Sequence, residues 1–378
     1  MVVPEPRRQA RNPAAPISSE LAPSAKPSSV DAMPATLVRL LILAALVGAL
    51  LVGYRMFWRA DEAALVVYCA HDAEFADLVF AEFRRRSGLQ VSVRYDSEAT
   101  KSLGLVERLI AEDGHGPCDV FWNNEQLGTL DLARRGLLAP YRGSGWRRMA
   151  APWRDADGAW SACAARMRVM MVDTRRLPAT TAAVRERLAG DLSRVAIAKP
   201  LFGTTLTHYS TWWAVLGAEP LQAWHHDSRA RGLHEVDGNG MVKALIAAGG
   251  CDLGFTDSDD FYAARDAGAA VAMVPARIAD IAPGSSENVL LIPNTVAIVR
   301  GAGHRAAAEQ LVDFLLSQEG ELVLARSPSR QIPLGPVADG LLPPEVRALR
   351  AAAADWTPPP GLAVARNACL AWLKGAQP

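Results

Sequence analysis

The stretch LVVYCAHDAEFADLVFAEF, residues 65–83, decides the fold class of this chain. Leu65–Cys69 is an uninterrupted apolar run of the kind found in buried parallel strands. Phe75, Val79 and Phe83 then recur at the spacing of one face of a helix. A strand that leads directly into a helix predicts the start of a βαβ unit.

The same alternation continues along the chain. Strands are predicted over Leu89–Tyr95 and Asp119–Trp122, and helices over Ser102–Glu112 and Gln126–Arg135. Strands that alternate with helices of about 10–15 residues indicate a parallel sheet covered on both faces. The fold class is therefore α/β.

The middle of the chain repeats this plan, and 378 residues favour two lobes. Trp160–Ala165 and Met167–Val172 suggest a pair of strands that pass into a second lobe. Val195–Ala198 and Cys251–Thr256 are further strands, and Asn288–Arg300 predicts a returning strand.

Composition excludes some functions. Lys and Arg together number 40, as do Asp and Glu, so the net charge is zero. No basic cluster in the sequence indicates nucleic-acid binding. The five cysteines are scattered without a CxxC pair, which argues against zinc ribbons and thioredoxin chemistry.

The N-terminal region predicts export. Residues 1–36 are rich in Pro, Ala and Ser and suggest a disordered cytoplasmic tail. Residues 37–58 are long and apolar enough for a single transmembrane anchor, with a cleaved signal segment as the alternative. Basic residues before this segment favour an inside N-terminus, so both interpretations place the chain after residue 60 outside the cytoplasm.

Polar residues follow three of the predicted strands directly. His71 and Asp72 follow the first, Glu98 follows the second, and Asn124 and Glu125 follow the third. In open α/β sheets this carboxyl edge is where ligands bind. We expect these five residues to line a ligand site.

The segment Gly203-Thr204-Thr205 lies between a predicted strand and a helix. Its backbone N–H groups and hydroxyls could hold an anion such as phosphate, carbonate or carboxylate. An ordinary helix cap is the alternative.

The stretch CDLGFTDSDD, residues 251–260, ends in three carboxylates, Asp257, Asp259 and Asp260. Three anions so close together repel one another unless a cation or an amine lies among them. A solvated turn is the alternative. The chain contains no GxSxG, HExxH or P-loop motif, so catalysis has little support.

Taken together, these motifs resemble the solute-binding proteins of ferric-iron-type ABC importers. The resemblance covers about residues 64–335 and rests on motifs that occur in the same order, among them LVVYCAHD (65–72), CDVFWNNE (118–125), AKPLFGTTLTHYS (198–210), CDLGFTDSDD (251–260) and LIPNTVAIV (291–299).

The resemblance implies a type II periplasmic-binding fold, with two α/β lobes that are joined by two crossing strands and close on a ligand. It implies a first lobe from residues 61–166 and 276–378, including the C-terminal helices, and a second lobe from residues 167–275. It also implies a monomer that works with a permease and an ATPase, is not an enzyme, and needs no cofactor. A bound metal such as Fe(III) would then be cargo.

Carried over by position, the resemblance makes His71 and Glu98 metal ligands. Gly203-Thr204-Thr205 matches the loop that holds a synergistic anion, and Asn239 matches a supporting asparagine.

The tyrosine pair that grips Fe(III) in this family falls on Asp259 and Asp260, which would take its place as metal ligands. The preceding asparagine falls on Asp257. Loss of both phenolates leaves Fe(III) as one option beside other metals and a zwitterionic organic ligand.

The expected function is therefore capture of a small cationic or zwitterionic solute, with Fe(III) and a synergistic anion among the options. A metal-dependent glycosyltransferase that uses Asp257-Ser258-Asp259 as a DxD motif is one alternative. An anchored solute sensor is the other.

Overall fold

The structure is a computed structural model that describes residues 36, 39–50, 64–96 and 103–375. The chain divides into two compact units, one before and one from residue 60. In the first unit residues 39–50 are helical, and the rest of the predicted tail and anchor lies outside the described residues, except residue 36. None of the described helices has the length and apolarity to span a bilayer.

The second unit is built on ten described strands. These are β1 Leu65–Cys69, β2 Val91–Tyr95, β3 Val120–Asn123, β4 Leu138–Ala139, β5 Ser161–Asp173, β6 Val195–Ala198, β7 His234–Val236, β8 Leu253–Asp257, β9 Val271–Pro275 and β10 Leu291–Val299.

Helices connect most of these strands. Thirteen are described: α1 Ala73–Ser87, α2 Leu103–Glu112, α3 Leu127–Arg134, α4 Ser144–Arg148, α5 Thr181–Ala189, α6 Gly203–Leu216, α7 Ala218–Ala230, α8 Asn239–Ala247, α9 Ser258–Asp266, α10 Arg305–Leu315, α11 Gln318–Arg326, α12 Pro344–Ala352 and α13 Leu362–Gly375. Short 3₁₀ turns lie at Ala151–Trp153, Ile278–Asp280 and Asp339–Leu341.

The first part of the sheet has the order β2-β1-β3-β10-β5. β1 pairs in parallel with β2 and β3, as the predicted βαβ units require, and β10 runs antiparallel to β3 and β5. The residues that follow β1 and β3 therefore meet at one edge of the sheet.

β5 carries the chain from the first part of the sheet to the second. Its residues up to Met167 pair with β10, whereas Arg168–Asp173 pair with β8 on one side and β9 on the other. The two strands predicted here are thus one continuous buried strand of 13 residues. β8, β6 and β7 then follow as parallel neighbours.

The last helix contacts both parts of the molecule. We expected the C-terminal helices on the first lobe, and α13 packs mainly against α6 and also contacts α3. Leu362, Cys369 and Leu373 belong to the same buried cluster as Ile197 and Phe255 of the second part of the sheet. These side chains are seven and four residues apart, so one apolar face of α13 covers that part of the molecule.

Candidate functional site

A cavity of about 340 Å³ lies at the carboxyl ends of β1, β3, β6 and β8. Its volume is at the lower end of the roughly 300–1,000 Å³ typical of small-molecule sites. Nine of the twelve predicted site residues line it, namely Asp72, Asn124, Gly203, Thr204, Thr205, Asn239, Asp257, Asp259 and Asp260.

Of the other three predicted residues, His71 and Glu125 do not line this cavity. His71 is buried against Trp122, with 4.6 Å between the ring centroids, so its ring packs in the core. Glu98 lies outside the described residues.

Glu125 was predicted to contact the ligand, but its side chain makes hydrogen bonds within the protein. Its buried carboxylate accepts hydrogen bonds from the backbone N–H groups of Leu127 and Gly128 in the first turn of α3. The hydroxyl of Thr207 in α6 also donates to it at 3.1 Å. Glu125 therefore satisfies the start of α3 and links α3 to α6.

The predicted acid cluster is compact. Oxygens of Asp257, Asp259 and Asp260 lie within 4.8 Å of one another, close enough to hold a metal ion. Asp257 ends β8, and Asp259 and Asp260 lie in the first turn of α9. The cluster is thus a strand end followed by a helix rather than a solvated turn.

Two buried arginines that sequence reasoning missed lie beside this cluster and pair with Asp257. Arg166 and Arg168 alternate along β5, and the two residues are 3% and 0% exposed. β5 pairs with β8 in a register that sets Arg168 opposite Asp257. Two charged residues two positions apart in the otherwise apolar segment SACAARMRVMMVD were the available signal.

Arg168 is fully engaged by the protein. Its guanidinium Nη1 donates to Asp257 Oδ1 at 2.8 Å and to Asn239 Oδ1 at 3.2 Å, and Nη2 donates to Thr205 Oγ1 at 2.9 Å. Its Nε donates to Nδ1 of His208 at 3.1 Å. Arg168 therefore ties β5 to the end of β8 and to the starts of α6 and α8.

His208 is neutral in this arrangement. Burial lowers its pKa well below the usual value, and the charge of Arg168 lowers it further. The neutral ring can accept the hydrogen bond from Arg168, which an imidazolium could not.

Arg166 is less fully engaged. Its Nη1 lies 3.4 Å from Asp257 Oδ2 and 3.7 Å from Asp259 Oδ2, both beyond a normal hydrogen bond. Its Nη2 donates to the backbone oxygen of Asn124. Its buried Nε has no hydrogen-bond partner among the residues that the structure describes.

Lys243 is a further cation of the site and was also missed. It lies in α8 one turn after Asn239, and its Nζ is 3.2 Å from Asp260 Oδ1. Burial lowers its pKa, but the attraction of Asp260 and the other carboxylates outweighs burial and leaves the pKa above its usual value.

The three carboxyl groups differ in acidity. Burial raises the pKa of Asp257, but the Arg168 and Arg166 guanidinium groups outweigh it and hold the pKa below its usual value. Burial raises the pKa of Asp259 to about 7, with Asp260, Asp257 and Asp72 adding to the rise. Burial likewise raises the pKa of Asp260, against the opposing effect of Lys243.

Four helices begin at the cavity. The first turns of α1, α6, α8 and α9 all contribute lining residues. Each helix N-terminus carries a partial positive charge and N–H groups without an intrahelical acceptor. The cavity therefore combines acidic side chains with anion-attracting backbone.

The predicted anion loop forms the start of α6. Gly203 has φ +60°, a left-handed conformation that favours glycine. The Thr204 and Thr205 hydroxyls accept hydrogen bonds from Arg168, and the Thr205 hydroxyl donates to Asn239 Oδ1 at 3.4 Å. The backbone N–H groups and the Thr204 hydroxyl are therefore the donors that this turn can offer an anion.

Comparison with known proteins decides the family. Residues 65–327 match the family of bacterial extracellular solute-binding proteins. The chain belongs to this family. Its members are solute-binding proteins rather than enzymes, which confirms the prediction that the chain is not an enzyme and removes support from the glycosyltransferase alternative.

Solved structures share the fold. Iron-bound HitA from Pseudomonas aeruginosa matches with a TM-score of 0.67 at 19% identity, over 83% of this chain and 99% of its own. The ferric binding protein from Campylobacter jejuni matches with a TM-score of 0.69 at 16% identity, over 82% and 98%. AfuA from Actinobacillus pleuropneumoniae, with fructose-6-phosphate bound, matches with a TM-score of 0.63 at 17% identity, over 82% and 98%.

These matches confirm the two-lobed α/β periplasmic-binding fold of ABC importers. As a member of this family the chain is an extracellular solute-binding protein, and the family works with the permease and ATPase subunits of ABC importers. At these identities the likeness shows the fold and leaves the ligand open.

Proposed function

We propose that this solute-binding protein captures a small organic solute with an anionic or zwitterionic character and delivers it to the permease. We further propose that it acts as a monomer, anchored by residues 37–58 outside the cytoplasm. The observation that carries the choice of ligand is the pair of buried arginines within the acid cluster.

Both oxygens of Asp257 are already engaged. Oδ1 accepts from Arg168, and Oδ2 accepts from Asn239 Nδ2 at 3.0 Å and faces Arg166. A metal ion bound here would compete for these oxygens beside two fixed positive charges. Like unit charges 4 Å apart repel by about 4 kcal/mol at the effective dielectric constant of a protein surface, and a trivalent ion is repelled more.

The cavity lining as a whole suits a solute of mixed charge. Arg166, Lys243 and four helix N-termini favour an anionic group. Asp72, Asp259 and Asp260 can accept hydrogen bonds from an amine or from hydroxyl groups. This proposal keeps the zwitterion of the sequence-based expectation and replaces its cationic ligand with an anionic one.

A metal ion held with a synergistic anion is the second candidate. The close approach of three carboxylate groups favours it. The relatives of known structure include one with iron and one with a sugar phosphate, so the shared fold is compatible with both ligand classes.

A thermal-shift screen separates the two candidates. The purified full chain is treated with chelator and then mixed with Fe(III) and phosphate, with divalent metals, or with phosphoethanolamine and fructose 6-phosphate. A ligand that binds only the folded state raises the melting temperature. We expect stabilisation by a phosphorylated organic solute in the absence of metal. Stabilisation by a metal ion, and by none of the organic solutes, would refute the proposal.

A further inference from the structure

We propose that Arg166 is the specificity-determining residue of the site and binds an oxyanion group of the solute, together with the first turn of α6. This inference rests on the proposed function and names the part of the protein that recognises the anionic group. Phosphate, phosphonate and carboxylate share the required chemistry.

The two buried arginines are not equivalent. The donors of Arg168 are all directed at protein acceptors, including Asp257, Thr205 and His208. Arg166 lines the cavity and is only 3% exposed, and its Nε has no hydrogen-bond partner among the described residues. A buried N–H without an acceptor is costly, which favours an acceptor supplied by the ligand.

The position of Arg166 supports the same role. The guanidinium is a planar fork that can donate two parallel hydrogen bonds to an oxyanion. Gly203 and Thr204 of α6 line the same cavity, and the first N–H groups of a helix have no intrahelical acceptor. An oxyanion between them would receive hydrogen bonds from both sides.

Arg166 also contacts both parts of the molecule. It lies on β5 next to the point where this strand passes between the two parts of the sheet. Its Nη2 reaches Asn124, which follows β3, and its Nη1 faces Asp257 at the end of β8. An oxyanion bound to Arg166 would therefore be held where the two lobes meet.

Inorganic phosphate is the minimal probe of this subsite. Its binding to the chelator-treated full chain is measured by equilibrium dialysis at constant ionic strength. We expect saturable binding, and we expect Arg166→Gln to weaken it roughly tenfold or more, because the variant loses the charged fork. Arg166→Lys keeps the positive charge but lacks the planar fork, so its affinity for phosphate should lie between those of the wild type and Arg166→Gln.

Arg305→Gln is the matched control, since Arg305 is a partly exposed arginine on α10 that pairs with Glu309 and does not line the cavity. It should bind phosphate like the wild type. Near-ultraviolet circular dichroism checks the folding of each variant. If Arg166→Gln does not fold, Arg166→Lys decides.

The inference is overturned if the wild type binds no phosphate saturably, or if the folded Arg166 variants bind it as tightly as the wild type. These results differ from a failure of the proposed function, in which metals stabilise the chain and organic solutes do not. If the Arg166 variants bind phosphate with wild-type affinity, only the role of this residue is refuted.

Discussion

At the scale of single residues, Asp257, Asp259 and Asp260 are close together but have different surroundings. Asp257 is paired with two guanidinium groups, whereas Asp260 faces Lys243. The ion pair of Asp259 with Arg166 is longer, at 3.7 Å. The three aspartates therefore differ in pKa although they belong to one cluster.

Asp259 should make stability depend on pH. Its folded-state pKa of about 7 lies above the usual 3.8, because of burial and the charges of Asp260, Asp257 and Asp72, with Arg166 opposing them. The folded state thus binds the proton more tightly than the unfolded chain. Its contribution to stability is present at low pH and is lost as pH rises from about 4 to about 7.

Asp259→Asn removes this titration. The stability of the variant relative to the wild type should increase by up to about 1.4 kcal/mol per pH unit within that window, and level off above it. Urea unfolding at several pH values measures the difference. A difference that does not change with pH would show that Asp259 titrates normally.

At the scale of elements, one side chain connects four of them. Arg168 of β5 reaches Asp257 at the end of β8, Thr204 and Thr205 at the start of α6, and Asn239 at the start of α8. These are the elements that form the second-lobe wall of the cavity. The geometry of the site thus depends on a residue behind the cavity wall.

Arg168→Met should lower the free energy of unfolding by about 3–5 kcal/mol, because it leaves buried Asp257 with less compensation. The double variant Arg168→Met/Asp257→Asn should lose less free energy of unfolding than the two single variants lose together. Urea unfolding of the four proteins gives this coupling. If the losses in free energy of unfolding simply add, Arg168 and Asp257 do not form a shared ion pair. Arg305→Gln is the control, and its free energy of unfolding should stay within about 0.5 kcal/mol of the wild type.

At the scale of the whole molecule, the chain passes between its two parts through β5 and returns through β10. α13 then packs on α6, the helix whose first turn lines the cavity. The C-terminal end of the described chain therefore supports the site from behind.

A chain that ends at Gly361 should be less stable by several kcal/mol, because it loses the buried side chains Leu362, Cys369 and Leu373. Hydrogen exchange should show lost protection in α6. Lys374→Ala, a surface change on the same helix, is the control and should have little effect. Lost protection in α1 and α10 with α6 unchanged would instead support the predicted packing on the first lobe.

Much of the fold, and the edge of the sheet that holds the site, was predictable from local sequence. Apolar runs and helical periodicity predicted β1, β3 and β6 and the helices after them, because these patterns depend on neighbours in the chain. The carboxyl ends of parallel strands meet at one edge, so Asp72, Asn124 and Asp257 could be assigned to one site before their distances were known.

The roles of individual polar residues were less predictable. His71 and Glu125 follow strands as the other site residues do, but one packs on Trp122 and the other caps α3. A position after a strand indicates the correct edge of the sheet. It does not indicate whether the side chain turns into the cavity or toward a neighbouring helix.

The sequence by itself determined the α/β class, the family and the edge of the sheet that holds the site, because periodicity and motif order are local properties. Only the tertiary structure decided the charge of that site. Arg168 and Asp257 are 89 positions apart, and the register between β5 and β8 brings them together. Long-range strand pairing therefore places two arginines beside acids that have no evident partner in the sequence.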